Sequence, residues 1–301
     1  MRKALLVIII FLPLFASAQR WKSIRYEACY GLGASNFLGD LGGANQVGTH
    51  YFKDLNWNET GYVASIALRY KLTEFLSLKG NLFLANVSGD DKNSKEPFRK
   101  NRNLNFYSNI VELSTQFEGS WMKEKLGHRY KLRGIKGSKA FDVYIYFFAG
   151  VGVFYFNPQG ELNGKYYDLQ PLGTEGQGAY PTRTKYSRIQ MCIPLGVGIK
   201  RTFGSRWGLN LEYGIRKTFT DYIDDVSTTY VDSQVLLSKN GALSAALANK
   251  SPTKDDPTSA KYGSTVAGQQ RGDSRYTDSY MFAVLSLTYK IKNGRGNLPK
   301  F

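Results

Sequence analysis

Along much of its length the chain alternates apolar and polar side chains with a period of two, the pattern of strands that meet hydrocarbon on one face and a polar setting on the other. In "YVASIALRYKL", Tyr62, Ala64, Ile66, Leu68 and Tyr70 share one face while Ser65, Arg69 and Lys71 share the other. "FLSLKGNLFLANV" follows after only Thr73 and Glu74, and sets Leu76, Leu78, Leu82 and Leu84 against Ser77, Lys79 and Asn81. "LNFYSNIVELSTQFEGSW" opposes Val111, Leu113, Phe117 and Trp121 to Glu112, Ser114, Gln116 and Glu118. "WGLNLEYGIRKTF" opposes Leu209, Leu211, Tyr213 and Ile215 to Asn210, Glu212 and Arg216, and "YMFAVLSLTYKI" opposes Met281, Leu285, Leu287 and Tyr289 to Ser286, Thr288 and Lys290. Three less regular runs, "RYEACYGLGAS", "FDVYIYFFAGVGVFYF" and "IQMCIPLGVGIKRTF", bring the set to eight. Pro194 removes a ladder donor from the last of these, so a bulge is expected there.

The connections alternate in length. Segments 35–59, 90–103, 157–186 and 225–277 are long and polar, whereas the turns at Thr73 and at "FGSRWG" are tight. The basic segment 123–139, "KEKLGHRYKLRGIKGSK", is the exception, long where a short turn is due. A soluble sandwich has no reason to gather its long loops at one end, but a membrane barrel does. The expected fold is therefore all-β: a transmembrane antiparallel up-and-down β-barrel of about eight strands, with long extracellular loops and shorter periplasmic turns.

The first residues fit this setting. "MRKALLVIIIFLPLFASAQR" places Arg2 and Lys3 before an apolar run and an Ala16-Ser17-Ala18 cleavage site, which reads as a secretory signal peptide over residues 1–18. The apolar run is shorter than the roughly 20 residues of a membrane-spanning helix. Residues 19–301 then form one barrel domain in the outer membrane, with 38 basic against 24 acidic residues. Tyrosine (21), phenylalanine (18) and glycine (31) are abundant, as aromatic girdles and closely packed strands require. Cys29 and Cys192 are too few and too far apart for a zinc pattern and read as small buried side chains, with a single disulfide left open.

If the apolar faces meet lipid, the lumen receives Arg69, Lys79, Lys200 and Arg216 with Glu112, Glu118 and Glu212. Eight strands enclose a space that side chains fill, so mixed charge there reads as a salt-bridged plug, with a small-solute porin as the alternative. No catalytic pair is expected, because the only histidines, His50 and His128, fall at opposite ends of the barrel. No metal, cofactor, nucleic-acid or small-molecule partner is expected either. "DYIDDVSTTYVD" carries Asp221, Asp224, Asp225 and Asp232 but lacks the glycine-punctuated loop of a dedicated calcium site. It reads instead as the rim where a strand leaves the membrane for polar solvent, its acids bracing the long basic loop that follows. "RGD" at Arg271 to Asp273 is too short to count as an adhesion motif.

Three stretches carry a family resemblance: "YEACYGLGASNFLGDLGG", "LGVGIKRTFGSRWGLNLEYGIRKTFTDYIDDVSTTYVD" and "RGDSRYTDSYMFAVLSLTYKI". They resemble the PorG family of outer-membrane barrels, "GASNFLGDLGG" and "FTDYIDDVS" being the most specific parts. The resemblance implies a non-enzymatic subunit of the type IX secretion and gliding machinery of Bacteroidetes, joining outer-membrane lipids to a periplasmic ring lipoprotein and other subunits of that system. Gly39, Asp40, Asp221, Tyr222, Asp224, Asp225 and Ser227 are the family-like positions, and are expected to anchor loops. Independently of the family, Lys123, Lys125, His128, Arg129, Lys131, Arg133, Lys136 and Lys139, with Lys290, Lys292, Arg295 and Lys300, would make the periplasmic mouth basic. Such a face can steer an acidic partner or meet anionic headgroups. An adhesin acting through the long loops is the remaining alternative.

Overall fold

Each alternating run forms a strand, and the strands pair in a ring. A computed structural model describes residues 24–41, 59–94, 96–122, 124, 143–203, 206–253 and 264–291. The strands are β1 (Tyr26–Leu38), β2 (Gly61–Lys71), β3 (Leu76–Asp90), β4 (Asn105–Gly119), β5 (Val143–Leu162), β6 (Lys165–Asp168), β7 (Ile189–Phe203), β8 (Trp207–Thr218) and β9 (Ser279–Ile291). Hydrogen bonding runs β4-β3-β2-β1-β9-β8-β7-β5, and a β4–β5 pairing closes an eight-stranded antiparallel barrel. The short β6 stands outside the ring, hairpinned onto β5. The signal-peptide reading, His50, His128 and the basic positions Lys123, Lys125, Arg129, Lys131, Arg133, Lys136, Lys139, Lys292, Arg295 and Lys300 lie outside the described residues.

The outer surface is apolar. Leu32, Ile66, Leu84, Leu113, Val151, Leu211 and Leu285 all point outward and are exposed. A belt of this extent would drive association in water, and it matches a bilayer. Aromatic pairs mark its margins: Tyr26–Tyr70 (5.0 Å), Trp121–Phe147 (5.5 Å) and Trp207–Tyr289 (4.7 Å) at the turn end, and Tyr107–Tyr166 (6.2 Å) at the loop end.

Inside, the structure departs from a uniformly polar lumen. Along β3 the inward series is Ser77, Lys79, Asn81, Phe83, Ala85, Val87, polar towards the turns and apolar towards the loops. The loop-end half is packed with Phe37, Phe83, Phe106, Phe154, Phe156, Tyr280 and Phe282 around Val63, Ile110, Ile223 and Val226. Phe154 packs on Tyr280 at 5.3 Å and Phe83 on Phe282 at 5.3 Å. Ion pairs fill the turn-end half.

Two strands differ from expectation. The run "IQMCIPLGVGIKRTF" is β7 throughout, and Pro194 causes no bulge. The ladder to β5 lapses opposite Ile193 and Pro194 and resumes at Cys192–Gly152 in the register that pairs Leu195 with Ala149. The proline thus costs pairing on one side only, since its β8 ladder continues through Arg216. β5 does not end near Asn157 but runs on to Leu162, 20 residues in all, about twice what spanning requires. The excess projects beyond the loop end and turns back through Asn163 and Gly164, whose φ of 52° and 77° are those of a tight two-residue hairpin.

The described parts of the long connections fold into a cap over the loop end. It contains a 3-10 turn (Asp91–Asn93) and the short helices α1 (Pro97–Arg102), α2 (Leu169–Leu172), α3 (Ser233–Lys239) and α4 (Ala242–Ala248). Asp232 caps α3 by accepting the Gln234 amide. Both cysteines are buried and free, Cys192 beneath the Tyr280 hydroxyl.

Inward glycines on β7 and β8 leave room for rings from β5. A Cβ on Gly198 would overlap the Tyr146 ring, and one on Gly196 or Gly214 would overlap Phe148. Tyr146 is held by hydrogen bonds to Arg69 and Asn210 and cannot yield. Gly198→Val is therefore expected to destabilise the barrel by about 1–3 kcal/mol, whereas Gly80→Ala, whose added methyl meets nothing within 4 Å, should change stability by less than about 0.5 kcal/mol. The temperature at which folded barrel converts to unfolded chain on detergent gels measures both.

Candidate functional site: the charged lumen and the loop-end cap

Period two aims every second side chain inward, so eight strands deliver their polar residues to one narrow space. All seven charges assigned to the lumen, Arg69, Lys79, Glu112, Glu118, Lys200, Glu212 and Arg216, are buried there. Arg69 is the hub. Its Nε and Nη2 donate to the two Glu118 oxygens at 2.5 and 2.9 Å, a two-pronged pairing, while Nη1 donates to Glu27 at 3.0 Å. Nη2 also lies 3.6 Å from Glu212. Lys79 donates to Glu212 at 2.6 Å, and the Tyr146 hydroxyl lies 2.5 Å from the same carboxylate. Nearer the cap, Arg216 pairs with Glu112 at 3.3 Å and lies over the rings of Phe282 and Phe83, where aromatic faces help to offset its lost hydration.

At the turn end the network takes in residues that the lumen assignment left out. Glu27 is bonded by Lys200 at 2.5 Å and Lys71 at 3.0 Å. Glu124, from the basic connection after β4, enters the mouth and meets Lys71, Lys200 (3.0 Å) and Lys290 (2.7 Å). Burial alone would raise the Glu124 carboxyl, but Lys200, Lys71 and Lys290 overcome it and hold the group well below the usual carboxylate range. Lys290 is thus a correction: it does not line an open mouth but is fully buried inside, also donating to Thr202. Strand parity points to Glu27 and Lys71, whereas Glu124 sits in a connection with no period to read.

At the other end, the acids after β8 do not stand in solvent at a rim. Asp224 and Asp225 are completely buried in the cap, because the first, third and last loop-end connections close over them. Asp224 accepts the Leu41 amide at 2.9 Å and the Val226 amide at 3.0 Å. Asp225, at φ 63°, accepts the Tyr186 hydroxyl at 2.7 Å and bonds Thr174. Its carbonyl accepts from Arg271 at 2.5 Å. Arg271 also donates to Glu175 at 2.9 Å, and Glu175 accepts the amides of Ser227 and Thr228. Arg102 pairs with both Asp91 oxygens and donates to the carbonyls of Asp40 and Arg271, so the second connection joins the same knot. Tyr222 stacks on Tyr186 at 4.7 Å, and Tyr186 stacks on Phe156 at 6.0 Å. Gly39 packs against Asp278 where a Cβ would collide with the carboxylate. The arginine of the "RGD" sequence is therefore buried and engaged rather than displayed.

Burial and the charges of Asp40, Glu175 and Asp273 push Asp221 up to about 8. Burial lifts Asp225 to about 6, less far because Arg271 favours its charge. Among the described residues no group of three or more His, Cys, Asp or Glu side chains is placed to hold a metal ion. Arg102, Asp91, Glu175 and Arg271 escape a reading by period because they sit in irregular connections.

Removing the hub leaves charge behind. Arg69→Met strands Glu118, which has no other ion-pair partner among the described residues, and takes one of several cations from Glu27 and Glu212; it is expected to cost roughly 3–5 kcal/mol, read as a lower denaturation midpoint in detergent. Because the lumen is filled, the intact barrel is expected to show no single-channel conductance in planar bilayers.

No curated protein matches the chain. Among solved structures, the attachment invasion locus protein Ail of Yersinia pestis is similar at 9% identity and TM-score 0.37, over 89% of this chain and 100% of that one. The N-terminal barrel domain of OprF from Pseudomonas aeruginosa gives 9% identity and TM-score 0.33 over 89% and 98% of the two chains. The outer membrane protein AlkL gives 10% identity and TM-score 0.35 over 92% and 94%. These likenesses are too distant to bear on what this chain does. One domain family matches residues 2–245, well over half of the 301 residues, and the protein accordingly belongs to it: DUF6089, a domain of unknown function.

Proposed function

We propose that this protein is a non-enzymatic outer-membrane barrel of the type IX secretion and gliding machinery, docking a periplasmic ring lipoprotein complex to the membrane at its turn end. The observation that carries this reading is the filled interior. Arg69, Glu118, Glu212 and Lys79 occupy the turn-end half, and Phe83, Phe154, Tyr280 and Phe282 occupy the loop-end half. A barrel that passes nothing acts through its surfaces, one of which is the apolar belt against membrane lipid. The likeness of residues 26–43 and 219–227 to PorG supports the choice of machinery. The connection after β4 is tied to the mouth through Glu124, and the sequence that follows supplies Lys125, Arg129, Lys131, Arg133, Lys136 and Lys139 to an acidic partner. No nucleic acid or small-molecule substrate enters this scheme.

A second reading, a surface adhesin, is favoured by one feature: the loop-end connections are organised by Arg271 and Arg102 into an ordered cap, which offers a fixed binding surface. Affinity purification of the tagged protein from outer membranes after cross-linking, followed by mass spectrometry, separates the two. Periplasmic ring subunits cross-linked through segment 123–139 are the expected outcome. Recovery of the barrel alone would overturn the docking role, and loss of surface binding on deleting cap loops would establish the adhesin.

A further inference from the structure

The cap holds four carboxyl groups that form no ion pair among the described residues, only Asp40 feeling the nearby charges of Arg102 and Arg99. Asp40 follows β1, Asp221 and Asp224 follow β8, and Asp278 precedes β9, so the set joins the barrel's first and last strands to its eighth-strand exit. Asp224 and Asp278 are buried to 0% and 1% exposure and Asp221 to 9%, with Asp40 half-buried beside them. The nearby arginines are committed elsewhere, Arg271 to Glu175 and Asp225, and Arg102 to Asp91. Among the described residues none of the four carboxyls forms an ion pair. Backbone amides serve part of the need: Leu41 and Val226 donate to Asp224, Ile223 to Asp278 and Asp273 to Asp40. Yet Asp221 Oδ2 and Asp278 Oδ1 are buried without any partner.

Like charges packed together out of water cannot all ionise, and a buried carboxyl without a counter-charge keeps its proton instead. No metal-holding arrangement is present among the described residues, which leaves the proton as the neutralising species. We propose that protons held among Asp221, Asp224 and Asp278 close this cluster, so that the cap is tight at neutral and mildly acidic pH and loosens as alkali removes them.

The surrounding groups set the direction. Burial together with the charges of Asp40 and Asp221 lifts Asp224 well above the ordinary range, and burial with Asp224, Asp221 and Asp40 does the same to Asp278. Asp221 rises to about 8. Glu175 and Tyr186 face the cluster from the connection before β7, Tyr222, Ser227 and Asp273 from the connection between β8 and β9, and Arg99 and Arg102 from the connection after β3. In the folded cap these carboxyls bind more protons than in the opened chain. The contribution of Asp221 to stability is therefore complete below about pH 4 and falls as pH rises through about 8, and those of Asp224 and Asp278 are lost in the same direction as each passes its own raised value.

The test follows the exchange of the Leu41, Ile223 and Val226 amides, which donate into the cluster, in the full chain in detergent micelles. After correction for intrinsic exchange, their protection is expected to fall about tenfold or more between about pH 6 and about pH 9, with lumen-strand amides unchanged. Asp224→Asn and Asp278→Asn, which mimic the neutral carboxyl, should each flatten this dependence. Should either variant fail to fold, the infrared band of protonated carboxyls in the unaltered protein must still be present at about pH 6 and weaken by about pH 9 as Asp221 ionises. Protection independent of pH would overturn the proposal. So would protection at about pH 9 that calcium restores and a chelator removes, which would make the cluster a cation site.

Discussion

A peptide group in hydrocarbon has no water to bond, so a sheet in a membrane must leave no edge. Everything in this molecule depends on meeting that constraint. The decisive seam is the one between β1 and β9, where Tyr26 to Leu38 pair residue for residue with Ile291 to Ser279. Closure then fixes which faces point inward, and with eight strands it fixes an interior that side chains can fill. The lumen chemistry follows from that geometry.

The interior is divided because its two ends meet different surroundings. Ion pairs occupy the turn-end half, where six cations, Arg69, Lys71, Lys79, Lys200, Arg216 and Lys290, meet five carboxylates, Glu27, Glu112, Glu118, Glu124 and Glu212. With the signs so nearly balanced, the lumen has no strong single-sign field to draw ions in. Among the described residues the loop-end half of the lumen meets ion pairs only at its boundary, in Arg216–Glu112, and rings fill it as they would a soluble core.

Period two made the barrel and its lumen charges legible, because an inward polar series such as Glu112, Ser114, Gln116, Glu118 contrasts with outward Val111, Leu113 and Phe117. It was silent where both faces are apolar: in "FDVYIYFFAGVGVFYF" nothing distinguishes inward Phe154 from outward Val153. It also could not reach the cap. Asp224 was legible as part of an acidic cluster, but its burial depends on Leu41, far away in sequence, and its neighbour Asp225 is held by an arginine at position 271 that no repeat announces. Pro194 misled for a local reason, since a missing donor matters only on the side where the ladder would have used it.

The β1–β9 seam also governs the order of events in time. Tyr26 cannot find Ile291 until nearly all the intervening chain is present, so the ring cannot be completed progressively as a helical bundle can. Until then β1 offers one open edge and its outward leucine and tyrosines to any other strand nearby. A chain built this way must be kept apart from its neighbours during its passage to the membrane, because its first strand stays unpaired on one side until its last strand arrives.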